Sequence, residues 1–342
     1  MNKLSKFIKM GKSINIWKYG GIICVIISLL LKFVLNSSLI EEYYSTNFFL
    51  VYRKFFNQVL SPFSFPFSYI FILLIILAVI FILLRKRHKF IFLLNFICFL
   101  WAYFLWAWGF NYERRTQDQL LQLSIAPLST EQIINYLDIE IRRCDSLFCV
   151  KENFSIDDIK ATIANHNSSW AAVQKIPIRK QPKGSLMQMG ITGIYFPFTG
   201  EANYDGGLHN TRKPFVIAHE MFHALGYASE SDCNFLAYKH LSSSKNTFLQ
   251  YSASIELLSY LLLELRKNDS SLFNQYRQHI LPKEIRRELD DIKQKHAQYQ
   301  GWFSEIGDFF NDFYLKSQGI EDGVENYGIF VPMVISWKDK KP

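Results

Sequence analysis

The strongest constraint on this chain is a pair of uncharged apolar stretches, Ser61 to Leu84 and Phe90 to Phe110. Each reaches the roughly 20 residues that a helix needs to cross a bilayer. A third candidate, about 17–40, is interrupted by Lys32, whose long side chain can carry its charge toward the interface. Three transmembrane helices, about 17–40, 61–84 and 90–110, are therefore predicted. A cleaved leader is the rival reading of the first, but no small-residue cleavage site follows Leu35.

The long apolar runs stop before Asn111, after which charged, polar and apolar residues mix as in a globular domain. The expected organisation is a membrane domain over 1–111 and a second domain over 112–342. The net charge of +8 is concentrated at the N-terminal lysines and in Arg85-Lys86-Arg87-His88-Lys89. Those are positions that set topology, and no nucleic-acid motif accompanies them. Nucleic acid is excluded as a partner, leaving the lipid bilayer. The N-terminus and the 85–89 cluster are expected in the cytoplasm, with residues 41–60 as an external loop and 112–342 outside the cytoplasm. Cys144 and Cys149 are a candidate disulfide in an oxidising space, with two buried thiols as the alternative.

In the second half, Ser129 with Glu131 and Gln132 opens a helix through Cys144, and Ser155 opens another to about 172. Ser185 to Tyr204 alternates with Gly and Pro punctuation, as short strands do. Pro214 suits a first helical turn and Gly226 the end of that helix. Further helices are expected over 230–240, 247–266 and 283–316, and a last apolar element over 327–337. The fold class is an α-helical membrane anchor followed by an α+β, mainly helical domain.

The helix after Pro214 carries His219-Glu220-Met221-Phe222-His223. Histidines four apart project from one helical face, at a separation that one tetrahedral zinc bridges. Glu220, beside the first, is placed to take a proton from a metal-bound water as general base. With eight histidines in the chain, chance supplies this pattern about once in a hundred such sequences. Its helical, apolar setting adds weight. The bland alternative is two core histidines and a solvated Glu.

Glu230, just beyond Gly226, is the first choice for a third ligand, with Asp232, Glu201 and Glu256 as alternatives. Asn234, one turn after Glu230, is the expected partner that orients a ligating histidine. Glu201, Asn203 and Tyr204 are candidates for the substrate cleft. Tyr204, His209 and Tyr227 are candidates to stabilise an oxyanion.

Gly193 to Asn203 and His219 to Tyr238 resemble the bacterial membrane proteins of the DUF3810 family, as do Asn311 to Lys316 and Tyr327-Gly328. The resemblance implies N-terminal spans, a zincin-like domain and a metal, with no substrate. Glu230-x-x-x-Asn234 is also similar to the Glu-x-x-x-Asp element of gluzincin peptidases, in which the Glu binds zinc. The expected function is a membrane-anchored zinc hydrolase, a peptidase acting on peptides or surface proteins at the bacterial cell membrane. Its alternatives are a cell-wall amidase and a non-catalytic zincin-like sensor or assembly factor.

Overall fold

A computed structural model describes residues 19–85, 87–148, 153–164, 175–299, 301 and 329–340. The N-terminal lysines, Lys86, Cys149 with its pairing, and the helical readings past 164 and over 302–316 lie outside the described residues. So do Asn311 to Lys316 and Tyr327-Gly328.

The three apolar stretches form helices α1 (Gly20–Val34), α3 (Phe67–Leu83) and α4 (Lys89–Ala107). Only α4 is by itself long and apolar enough to cross a membrane, and α3 has 17 residues. Helix α1 turns by 109° at its end into the segment Ser37–Leu60. It does not run on to residue 40 because Leu35 is extended and Asn36 caps the next turn through its side chain. Helices α1 and α4 lie side by side in parallel. Gly21 N–H donates to Asn95 near their starts, and the Trp106 indole donates to Ser28 nearer their ends. Lys32 reaches Glu113 at 3.1 Å.

The expected loop 41–60 is a helix instead. A wide-turn segment, Ile40–Phe48, leads into α2 (Phe49–Leu60). Phe49, Arg53 and Asn57 share one buried face of α2, while Val51, Phe55 and Val59 are exposed on another. That i, i+4, i+8 spacing gives the helix its reason to form: one stripe packs on the domain.

The second half begins with α5 (Gln117–Leu121) and α6 (Thr130–Leu147), whose Ser129–Gln132 capping box is fully formed. Helix α7 (Ile156–Ala164) precedes a three-stranded sheet in the order β1-β3-β2. Strand β1 (Ile178–Gln181) pairs parallel to β3 (Glu201–Asp205), and β2 (Gly193–Phe196) pairs antiparallel to it, so β1 and β2 are the edge strands. Helix α8 (Lys213–Ala224) packs beneath it on β2 and β3, and α9 (Glu230–Leu241) packs on α8, followed by α10 (Thr247–Asn268), α11 (Ser270–Gln275), α12 (Lys283–Ala297) and α13 (Phe330–Asp339). The molecule is mostly helical with one small sheet.

The expected division at 111–112 is not a division of the packing. One apolar cluster joins Ile40, Tyr44, Phe49, Phe104 and Trp108 to Ile217, Met221, Phe222 and Leu225 of α8. The Glu41 carboxylate holds Arg114 at 2.7 Å, and Arg114 donates to the Gly226 carbonyl. The amphipathic helix α2 is thus a wall of the second domain.

Candidate metal centre

Helix α8 starts with Pro214 in its first turn, where no intrahelical donor is lost, and ends at Gly226, whose φ of 90° reverses the chain. Three residues later the Ser229 side chain accepts from Asp232 N–H and opens α9. This tight reversal sets the first turn of α9 opposite the last turns of α8. Glu230 therefore meets both histidines.

The ligand atoms of His219, His223 and Glu230 all lie within 4.8 Å of one another. His219 Nε2 is 3.1 Å from His223 Nε2 and 3.0 Å from Glu230 Oε2, and His223 Nε2 is 3.5 Å from Glu230 Oε1. The outer ring nitrogens are both engaged: His219 Nδ1 faces the Asn234 side-chain oxygen at 2.8 Å, and His223 Nδ1 faces the Tyr227 carbonyl at 2.8 Å. Both partners only accept, so each Nδ1 carries the proton and the two Nε2 lone pairs point at each other. That is repulsive unless a proton or a metal cation lies between them. Two nitrogens on one tetrahedral zinc stand about 3.4 Å apart, so the donor set and its spacing fit zinc. Asn234 takes the orienting position expected of it.

Glu220 is buried against β2. Burial raises its carboxyl to about 7, against the pull of His219 and His223, and it also accepts a hydrogen bond from the Tyr195 N–H. Its Oε2 is buried with no hydrogen-bond partner among the described residues. Burial would also raise Glu230, but His223 and His219 together hold it well below the usual carboxylate range. Burial opposes charge on His223, but Cys233 and Glu230 outweigh it and raise that imidazole. Cys233 stands 3.3 Å from His223 Nδ1 on the outer side of the ring. Burial pushes its thiol up to about 12, and its sulfur lies outside the cluster of ligand atoms formed by His219, His223 and Glu230.

The cluster opens into a cavity of about 1040 Å³. Gly193 to Phe198, Phe104 and Trp108, and Arg212, Glu256 and Tyr260 line it with the cluster. Of the alternative third ligands, Glu256 is paired with Arg212 at 2.5 Å, Asp232 accepts from Gln117 N–H, and Glu201 is buried against Arg179 at 3.1 Å.

The expected cleft residues are not on the cavity wall. Glu201 points to the opposite side of the sheet, toward the start of α3, and Asn203 is held by Gln181 and the Ile194 carbonyl. Tyr204 packs with Met187, Leu208 and Val216. Of the candidate oxyanion donors, His209 faces Glu288 at 3.6 Å, and the Tyr227 ring lies under Arg114 at 4.0 Å. Tyr260 lines the cavity instead. Its phenol is kept protonated by burial first and by Glu256 second. Sequence reading missed it because Tyr260 sits mid-helix in α10, where an aromatic reads as core. Its spacing of four from Glu256 was the available signal.

A family model described as "Protein of unknown function (DUF3810)" matches residues 44–335. No curated protein and no solved structure matches the chain.

Proposed function

From the premise that the chain belongs to the DUF3810 family, whose description names no activity, we propose from the site itself that it is a membrane-anchored zinc-dependent peptidase. The carrying observation is the convergence of His219 Nε2, His223 Nε2 and a Glu230 carboxylate oxygen within 4.8 Å, beside a buried Glu220 and on the wall of a cavity. A His₂Glu donor set that leaves room for water is the catalytic rather than the structural pattern.

Three spans are the reading that the surface supports. Leu74, Leu77 and Phe81 of α3 are exposed at 58%, 52% and 67%, and Phe33 of α1 at 93%. Helices this apolar on their outer faces have lipid as their solvent. The parallel pairing of α1 and α4 agrees with an in-out, out-in, in-out course, which leaves the metal centre outside the cytoplasm of a bacterial cell. The exposed stripe of α2, after its 109° bend, suits a helix lying in the interface plane.

Zinc held by His219, His223 and Glu230 supplies a water of lowered pKa and a Lewis acid for the scissile carbonyl. The remaining roles fall to the chain. Asn234 and the Tyr227 carbonyl fix the two imidazoles in the tautomer that offers Nε2. The Tyr195 N–H aims the Glu220 carboxylate, which takes the proton of the attacking water and passes it to the leaving nitrogen. The protonated Tyr260 hydroxyl donates to the charge that develops on the carbonyl oxygen. Phe104 and Trp108 exclude bulk water from one side.

Glu220→Gln is expected to keep its zinc and lose about 10²- to 10⁴-fold in peptide turnover, the usual worth of a positioned general base. Undiminished turnover overturns the peptidase reading. Gly193→Ala acts on the same carboxylate, since a Cβ there stands 2.5 Å from Glu220 Oε1 and 2.8 Å from its Cγ. The expected result is about a hundredfold loss in kcat, from a carboxylate displaced by about 1 Å. Zinc content measured alongside should be unchanged.

A further inference from the structure

The cavity does not stop at the metal centre. It continues down the face of α4 formed by Ile97, Leu100, Trp101 and Phe104, residues at i, i+3, i+4 and i+7 of a helix that reads as a span. Ile97 lies ten residues before the outer end of α4 at Ala107. At 1.5 Å per residue this places it about 15 Å below that end, half the depth of a hydrocarbon layer of about 30 Å. The opposite wall is β2 and the turn after it. Phe198 stacks on Phe71 of α3 with ring centroids 4.8 Å apart, and its carbonyl accepts from the Tyr103 hydroxyl. The sheet edge that begins at Glu220 therefore ends between two membrane helices.

The open edge of β2 faces the same space. Thr192 O accepts from Asp205 N–H on the β3 side, so by the alternation of an antiparallel ladder Gly193 and Tyr195 turn their backbone groups away from β3. The Tyr195 N–H does so, toward Glu220. An extended peptide added along this edge would pass the general base at one end and enter the apolar groove on α4 at the other. A water-soluble substrate has no use for a groove that descends half a bilayer.

We infer that the substrate is itself anchored in the membrane: an extended polypeptide segment that leads directly into an apolar, lipid-embedded stretch and is cut within a few residues of the outer surface. This rests on the peptidase reading above and names its substrate class. In the cut, the oxygen of water bonds to the scissile carbonyl carbon and the C–N bond breaks. One proton of that water reaches the leaving amine through Glu220, giving a carboxylate and a new amino terminus.

The test uses the full chain with zinc in lipid nanodiscs, reconstituted together with two peptide probes. Both probes carry a randomised ten-residue segment and a twenty-residue Leu/Ala span. In one the segment adjoins the span, and in the other a thirty-residue Gly/Ser spacer separates them. Tethering is thus common to both, and only access to the groove differs. The adjoining probe should be cut at least about tenfold faster, the effect of burying one large apolar side chain, with cuts clustered within about five residues of the span. Ile97→Trp and Leu100→Trp, which fill the groove without adding polarity, should lower that rate about tenfold while zinc content stays constant. Equal rates for the two probes, dispersed cuts, or no effect of either Trp variant would overturn the inference and leave the peptidase reading standing. If zinc is bound and neither probe is cut, the peptidase reading falls and the inference falls with it.

Discussion

In the purified full chain, His219→Ala, His223→Ala and Glu230→Ala should each reduce bound zinc from about one per chain to near none, as read by elemental analysis after dialysis against a weak chelator. A catalytic zinc has three protein ligands, and none of the alternative acids can take over here. Glu256 is committed to Arg212 at 2.5 Å, Asp232 to the Gln117 N–H, and Glu201 to the far face of the sheet. Cys233 is not placed to substitute for His223, because its sulfur lies behind the ring, on the Nδ1 side, outside the cluster of ligand atoms. Asn234→Ala gives the graded control. It removes the acceptor 2.8 Å from His219 Nδ1, and loss of such a partner weakens metal binding by about 10- to 100-fold without abolishing it. If Glu230→Ala kept its zinc, the third ligand would be some other group and the His₂Glu assignment would fail.

The site was more legible in the sequence than the frame that holds it. His219, Glu220, His223, Glu230 and Asn234 are tied together by two helices and one tight reversal, so their relation is set by local rules: four residues per helical turn, Pro214 near the start and Gly226 at the break. Local rules also gave the Ser129 cap and the apolar helices. What they could not give is pairing across the chain. The segment 41–60 reads as a loop between two spans, and only its packing partners show why Phe49, Arg53 and Asn57 share a face. Arg53 donates to the Thr199 carbonyl, 146 positions away. Tyr260 was missed and Glu201 misplaced for the same reason: which face of an element looks into the cavity depends on elements distant in sequence. The boundary near 111 followed from composition, and composition is blind to a core in which Trp108 stands 6.0 Å from the His223 ring, centroid to centroid. A fragment starting at 112 would lack Phe49 and Trp108, which pack with α8 in one core, so the zinc measurement calls for the whole chain.

Glu201 shows how the apolar helices and the sheet depend on each other, and its removal should have the largest effect on stability of any substitution on the far side of the sheet. Its Oε1 accepts from the Phe67 N–H at 2.8 Å and from Arg179 Nε at 3.1 Å. Its Oε2 accepts from the Ser68 N–H at 2.8 Å and from the Thr199 hydroxyl at 2.8 Å. Phe67 and Ser68 are the first two residues of α3. A carboxylate from the central strand thus caps the positive end of the apolar helix α3 and neutralises a buried guanidinium. Glu201→Ala leaves Arg179 buried without its counter-charge and orphans two helix N–H groups. Breaking a buried pair from one side costs about 3–5 kcal/mol, a large share of the 5–15 kcal/mol that holds a typical domain together. The expected result is a fall of about 10 °C in the unfolding midpoint of the lipid-reconstituted chain. Glu201→Gln keeps one acceptor oxygen, enough for one of the two α3 N–H groups, and should lose less. Below the new midpoint Glu201→Ala should still bind zinc, because no metal ligand contacts Glu201. A variant that lost zinc while keeping the parental midpoint would show that Glu201 acts on the metal centre directly and not through the docking of α3.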